Sequence, residues 1–213
     1  MKKLDILYED KYIIAVYKKH GLLTISRDNH NDINLYDEVK DYEKKKNPKN
    51  KIFIVHRLDK DTSGVVLFAK NEKVKYELQN NWENTIRKYY AVVDGVINEN
   101  KTLIDYLQES KTGEVFITKN KLKGKKCITK YKVIDKNNKC SLLDVEIKTG
   151  RKNQIRVQLA NINHSIIGDK KYGKIKNKEM LLEAYYLLIM HPVSKNKLEI
   201  KIPIEKNLPS YLH

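Results

Sequence analysis

Apolar residues fall along this chain in short runs separated by polar turns, and most of the runs read as strands. Residues 5–8 and 12–17 (YIIAVY) form two of them, joined by Glu9-Asp10-Lys11 and closed by the turn at His20-Gly21. Residues 52–55 enter a polar loop, and 65–69 (VVLFA) leave it. The latter are apolar at every position, which predicts a strand buried on both faces. Further strands are predicted over 86–94, 115–118, 127–134, 142–148, 185–190 and 198–202, with Asn137-Asn138 turning the chain. Helical periodicity appears three times. Residues 34–45 carry Leu35, Val39 and Tyr42 on one stripe. Residues 72–82 carry Val74, Leu78 and Trp82, with Asn71 as cap. Residues 154–162 carry Ile155, Leu159 and Ile162. Strands that follow one another directly predict an α+β domain with a mixed, largely antiparallel sheet. The loop KKKNPKNK (44–51) is the best candidate for a mobile connection.

Composition narrows the partner. The 213 residues hold 40% apolar side chains, enough for a core, and no run approaches the roughly 20 apolar residues of a membrane span. The first ten residues, MKKLDILYED, hold three acids and do not read as a secretory signal. The net charge is +16. Residues 1–106 contribute +3 of it and 107–213 contribute +13, so the polyanion-seeking surface is concentrated in the second half. Of the 43 cations only five are Arg: Arg27, Arg57, Arg87, Arg151 and Arg156. A guanidinium stays charged when buried, forks onto carboxylates and stacks on bases, so a chain this rich in Lys has reason to place Arg where it does. Two cysteines 13 residues apart and scattered histidines match neither a disulfide framework nor a metal site, which points to a reducing, cytoplasmic setting.

Three segments could carry chemistry. HRLDKDTSG (56–64) is the densest polar cluster and lies between two apolar strands, where a rigid sheet can mount reactive groups; the same residues could also make a tight polar turn. In RKYYA (87–91) strand alternation puts Arg87, Tyr89 and Ala91 on one face, and Tyr89 could stack on a base or accept a proton. In TGRKNQIRVQL (149–159) two Arg flank a helix start, suited to a phosphate or a carboxylate or simply to a solvated helix face.

HRLDKDTSG, then RKYYAVVDG, then TGRKNQIRVQLANINHSIIGDKKYG together resemble the RluA-type pseudouridine synthase family, near full length. The resemblance implies an α+β catalytic domain spanning 1–213, its mixed sheet bisected by an RNA-binding cleft. It also implies that the small N-terminal RNA-binding domain of many relatives is absent. It further implies isomerisation of uridine to pseudouridine within ribosomal or transfer RNA by a cytoplasmic monomer without cofactor or metal. By position, Asp59 matches the catalytic aspartate. Tyr89 matches the tyrosine that stacks on the target base, and Arg156 the arginine that pairs with the aspartate. Arg57 matches the arginine that replaces the flipped-out nucleotide. His56, Thr62, Arg87, Arg151 and Asn153 are the accompanying candidates for RNA contact. Asn153 stands where the family usually has His, Lys19 replaces a common Pro, and Arg87 replaces a Lys.

Physical chemistry agrees with that assignment. A carboxylate can act on the sugar as nucleophile or as electrostatic partner. A guanidinium within contact keeps a buried carboxylate ionised. A planar cation can stack where an extruded base has left. Two other readings compete: a hydrolytic N-glycosylase using Asp59 with Asp61, and a non-catalytic, ribosome-associated RNA-binding protein.

Overall fold

A computed structural model describes residues 4–26 and 32–203; Arg27 lies outside them. In chain order the elements are β1 (Ile6–Glu9), β2 (Ile13–Lys18), α1 (Leu35–Lys46), β3 (Phe53–Ile54), β4 (Ser63–Ala69), α2 (Glu72–Asn80), β5 (Ile86–Asp94), β6 (Lys101–Glu109), β7 (Val115–Ile117), β8 (Lys125–Lys136), β9 (Cys140–Ile147), α3 (Gln154–Asn161), β10 (Leu182–Met190) and β11 (Lys197–Lys201). The class is α+β, as expected.

The first unit comprises Met1–Thr85 and Ala184–Ile202. Its strands run β1-β2-β4-β10, with β3 on β4 and β11 on β10. β2 and β4 pair antiparallel from Ile13 opposite Ala69 to Lys18 opposite Gly64. Ile13–Val16 and Val66–Ala69 are fully buried, so the all-apolar run of β4 is the central strand its pattern predicts. Gly64 is required there. A Cβ at this position would sit 2.3 Å from the Ala184 carbonyl oxygen, and φ is +120°. α2 starts on its predicted cap, Asn71 Oδ1 accepting from the Val74 amide; α1 starts one residue later than predicted, with Asn34 as its cap, its Oδ1 accepting from the Asp37 amide. α2 stops at Asn80 rather than at residue 82, and Trp82–Asn84 form a short 3₁₀ turn.

The second unit covers Ile86–Glu183, and its strands run β5-β9-β8-β6-β7 with antiparallel pairing throughout. α3 packs on one side of this sheet. Ile155 and Leu159 join Ala91, Val93, Leu143 and Val145, while Val157 joins Leu107, Val115 and Cys127. β6 has no counterpart among the predicted strands. Its sequence KTLIDYLQE alternates poorly because Asp105 stands on the same side as Leu103 and Leu107. That carboxylate is satisfied by Gln158 of α3, whose Nε2 donates to Asp105 Oδ2 over 2.6 Å. A polar pair across the sheet–helix interface thus hides a strand from its hydrophobic pattern.

Candidate active site

The loop between β3 and β4 presents Arg57 and Asp59 from a backbone that is clamped on two sides. Thr24 locks Leu58 twice: its Oγ1 donates to the Leu58 carbonyl (2.9 Å) and accepts from the Leu58 amide (3.2 Å). Lys18, fully buried, donates from Nζ to the carbonyls of Leu22 (2.6 Å), Lys60 (2.8 Å) and Lys19 (3.1 Å). The Thr62 amide closes a turn onto the Asp59 carbonyl at 3.1 Å. Arg57 is exposed and Asp59 half-buried. Thr62 is buried, so the side chain expected to meet RNA is turned inward and supports the loop. His56 is held from both sides. Its Nε2 accepts from the Leu67 amide (3.1 Å), and its ring stacks on Trp82 with centroids 4.7 Å apart.

Burial lowers the Lys18 ammonium to about 8, against the opposing attraction of Asp61 and Asp59. In the unfolded chain a lysine keeps its proton to about 10.4. Between those values the unfolded state binds more protons, so stability rises with pH from about 8 to about 10.4. Lys18→Met is expected to lose about 1–3 kcal/mol at pH 7 through its stranded carbonyls. It should also lack that part of the alkaline rise. Urea unfolding of both proteins at pH 7, 8, 9 and 10 checks this, and equal pH slopes would refute it.

In the second unit Tyr89 stands on β5 opposite Val145, half-buried against the core of that unit. Arg87, two residues earlier, is buried, with Nη2 3.4 Å from the Lys148 carbonyl. Arg156 projects from α3 and meets a partner that the sequence reading left out. Its Nε donates to Asp169 Oδ2 and its Nη2 to Asp169 Oδ1, each at 2.7 Å. Its Nη1 donates to Asn153 Oδ1 at 3.2 Å, and the guanidinium lies 5.4 Å from the centre of the Tyr172 ring. Asp169 also accepts from the amides of Lys171 (2.9 Å) and Tyr172 (3.1 Å). Burial alone pushes the Asp169 carboxyl up, but the Arg156 fork and these amides outweigh it and hold it below the usual carboxylate range. Asn153 caps α3 in a left-handed conformation, φ +54°, and donates from Nδ2 to Tyr172 Oη at 3.2 Å. Its side chain therefore orients Arg156. Arg151 is exposed, its Nε donating to the Lys126 carbonyl at 3.3 Å. Asp169 escaped notice because it sits in Gly-Asp-Lys-Lys, which reads as a solvated basic turn.

Residues 12–161 match the RNA pseudouridylate synthase family. The chain is 33% identical to an uncharacterized RNA pseudouridine synthase of Mycoplasma genitalium, covering 99% of this chain and 70% of the relative. It is also 33% identical to the ribosomal large subunit pseudouridine synthase C of Buchnera aphidicola, covering 98% and 69%. The human RNA pseudouridylate synthase domain containing 4 shares its fold, with a TM-score of 0.80 at 20% identity over 95% of this chain and 89% of that one. By the family match over residues 12–161 and these near-full-length relatives, the chain belongs to the RluA-type RNA pseudouridine synthases, enzymes that isomerise uridine to pseudouridine in RNA.

Proposed function

We propose that this enzyme modifies uridines in structured ribosomal or transfer RNA, with Asp59 as the group that opens the glycosidic bond. The observation carrying this reading is the clamped turn that presents Asp59, held by Lys18 and Thr24 in a chain of this family. Asp59 acts as nucleophile or as electrostatic partner while the N1–C1′ bond breaks. The uracil turns, a C5–C1′ bond forms, and the C5 proton leaves through Tyr89 as N1 takes one from water. No atom is gained or lost overall. Arg156 supplies the guanidinium that the family's chemistry calls for, and Asp169 with Asn153 keeps it oriented. Arg57, exposed on the same loop as Asp59, stacks where the target nucleotide has left the RNA. Arg151, exposed, serves the phosphates; Arg87, buried against the Lys148 carbonyl, braces β5 instead, and His56 and Thr62 steady the loop. The residues 1–213 act as one catalytic domain, a cytoplasmic monomer. Among the described residues no helix is long and apolar enough to cross a membrane.

Ribosomal and transfer RNA carrying tritium at uracil C5 should release it when incubated with the protein, and mapping should place pseudouridine at the exchanged sites. Free uracil with an abasic chain would favour hydrolysis by Asp59 and Asp61 instead. Binding without release would reduce the protein to a non-catalytic RNA-binding factor.

A further inference from the structure

The sheet of the second unit has two faces, and only one is covered by α3. Leu103, Leu107, Val115 and Cys127 point to the α3 side and are buried. The alternate residues of the same strands, Ile104 and Tyr106 of β6, Phe116 of β7, and Lys126, Ile128 and Lys130 of β8, form the opposite face. Ile104 is 57% exposed and Phe116 41%. Register places Ile104 opposite Ile128, Tyr106 opposite Lys126 and Thr102 opposite Lys130. The Thr118 amide bonds the Tyr106 carbonyl while Phe116 stands opposite Gln108. Tyr106 and Phe116 are therefore diagonal neighbours, roughly 7–8 Å apart, about the span of two stacked bases.

The turn from β7 to β8 folds over this face. A Cβ at Gly124 would lie 2.7 Å from both Tyr106 Cβ and Thr118 Cγ2, so only glycine lets the turn come this close. Lys121 Nζ lies 5.8 Å from the centre of the Tyr106 ring. Asn120 Oδ1 pins the amides of Leu122 and Lys123, yet Leu122 is 98% exposed at the tip. An ordered turn thus holds an apolar side chain in water, between lysines.

We propose that this face is a second RNA contact, a platform on which unpaired bases stack against Tyr106 and Phe116 while Lys121, Lys126 and Lys130 hold the flanking phosphates. The charges select RNA over a protein partner. The core of a protein–protein interface is depleted in charge. Among the described residues none of the three lysines is ion-paired; on this face Asp144 and Glu146 of β9 are taken by Lys88 and Lys148, and Glu114, two residues before Phe116, is an exposed acid at the edge. An exposed ring, Phe116, and a half-buried one, Tyr106, beside cations suit single strands, whose bases offer their faces, and not a duplex, whose bases are already stacked. The inference rests on RNA being the substrate, but not on the roles given to Asp59, Tyr89 or Arg156.

Fluorescein-labelled decaadenylate, which contains no uridine, tests it by anisotropy with the full chain. Changing Tyr106→Ala and Phe116→Ala together is expected to weaken binding about 30-fold or more. Tyr106→Phe should bind like the unaltered protein. Lys126→Gln with Lys130→Gln should reduce the slope of log K against log salt by about 1.4. Ultraviolet crosslinking of the unaltered chain should mark the peptide holding Phe116, whatever the variants' folding. Undiminished binding by the aromatic pair would overturn the platform. So would a loss confined to the lysine pair, or a crosslink elsewhere only, or docking of a protein at these rings in place of RNA. A protein that releases tritium from uridine RNA but ignores the aromatic changes fails this inference alone. One that binds decaadenylate through these rings yet releases no tritium fails the catalytic reading alone.

Discussion

Asp59→Asn is expected to abolish pseudouridine formation, reducing tritium release by at least about 10³-fold, or about 4 kcal/mol of barrier. The amide matches the carboxylate in size and keeps the backbone contacts that shape the turn, because those run through the Asp59 carbonyl, Lys60 carbonyl and Leu58 amide. What it loses is the negative charge that can attack or stabilise the reacting sugar. RNA affinity and thermal stability should change little, which separates a chemical role from a structural one. Single-turnover release from tritiated RNA, with affinity measured in parallel, checks the expectation. Full release by the variant would remove Asp59 from the mechanism, and an equal loss with Asp61→Asn alone would favour a carboxylate pair.

Asp169→Asn carries the second large effect. Asp169 is buried and receives four hydrogen bonds, two of them from the Arg156 guanidinium. Neutralising one partner leaves a buried cation uncompensated, at a cost of about 3–5 kcal/mol. The sign of the pH dependence follows from the lowered carboxyl of the folded state. The unfolded carboxyl takes up its proton near 3.9. The stabilisation is therefore complete above that value and is lost as pH falls through the folded-state value below it. The difference in unfolding free energy between the two proteins should be flat from about pH 5 to 8 and shrink in strong acid. Turnover should fall as well, since Arg156 loses the fork that aims it. Arg156→Lys should reproduce much of that loss, because one ammonium cannot span both Asp169 oxygens. Wild-type stability of Asp169→Asn at pH 7 would show that the pair does not hold this part of the unit together.

Much of the secondary structure was readable along the chain. The all-apolar 65–69 run is buried because both sides of β4 are covered, and the Asn71 cap lies where a short polar side chain precedes an amphipathic stretch. Two features were not. β6 was hidden because Asp105 occupies an inward position that only Gln158, 53 residues away, makes tolerable. The end of α2 was placed too late because Trp82 continues the helical stripe, whereas its ring in fact stacks on His56. In both cases a contact distant in sequence overrode the local period.

The same division holds for the site. Sequence alone determined the family and the RNA substrate class, and it named Asp59, Tyr89 and Arg156 as the candidates, because residue types at those spacings can be read without a fold. Tertiary structure decided what supports them. Lys18 and Thr24 hold the loop through backbone atoms, which leave no mark on the pattern of side chains. Asp169 was identified only by the two guanidinium nitrogens that reach it, and the exposed face of β6–β8 only by the side that α3 leaves uncovered. A motif records groups that react, since their type cannot vary; the groups that position them are chosen by geometry, which exists only once the chain has folded.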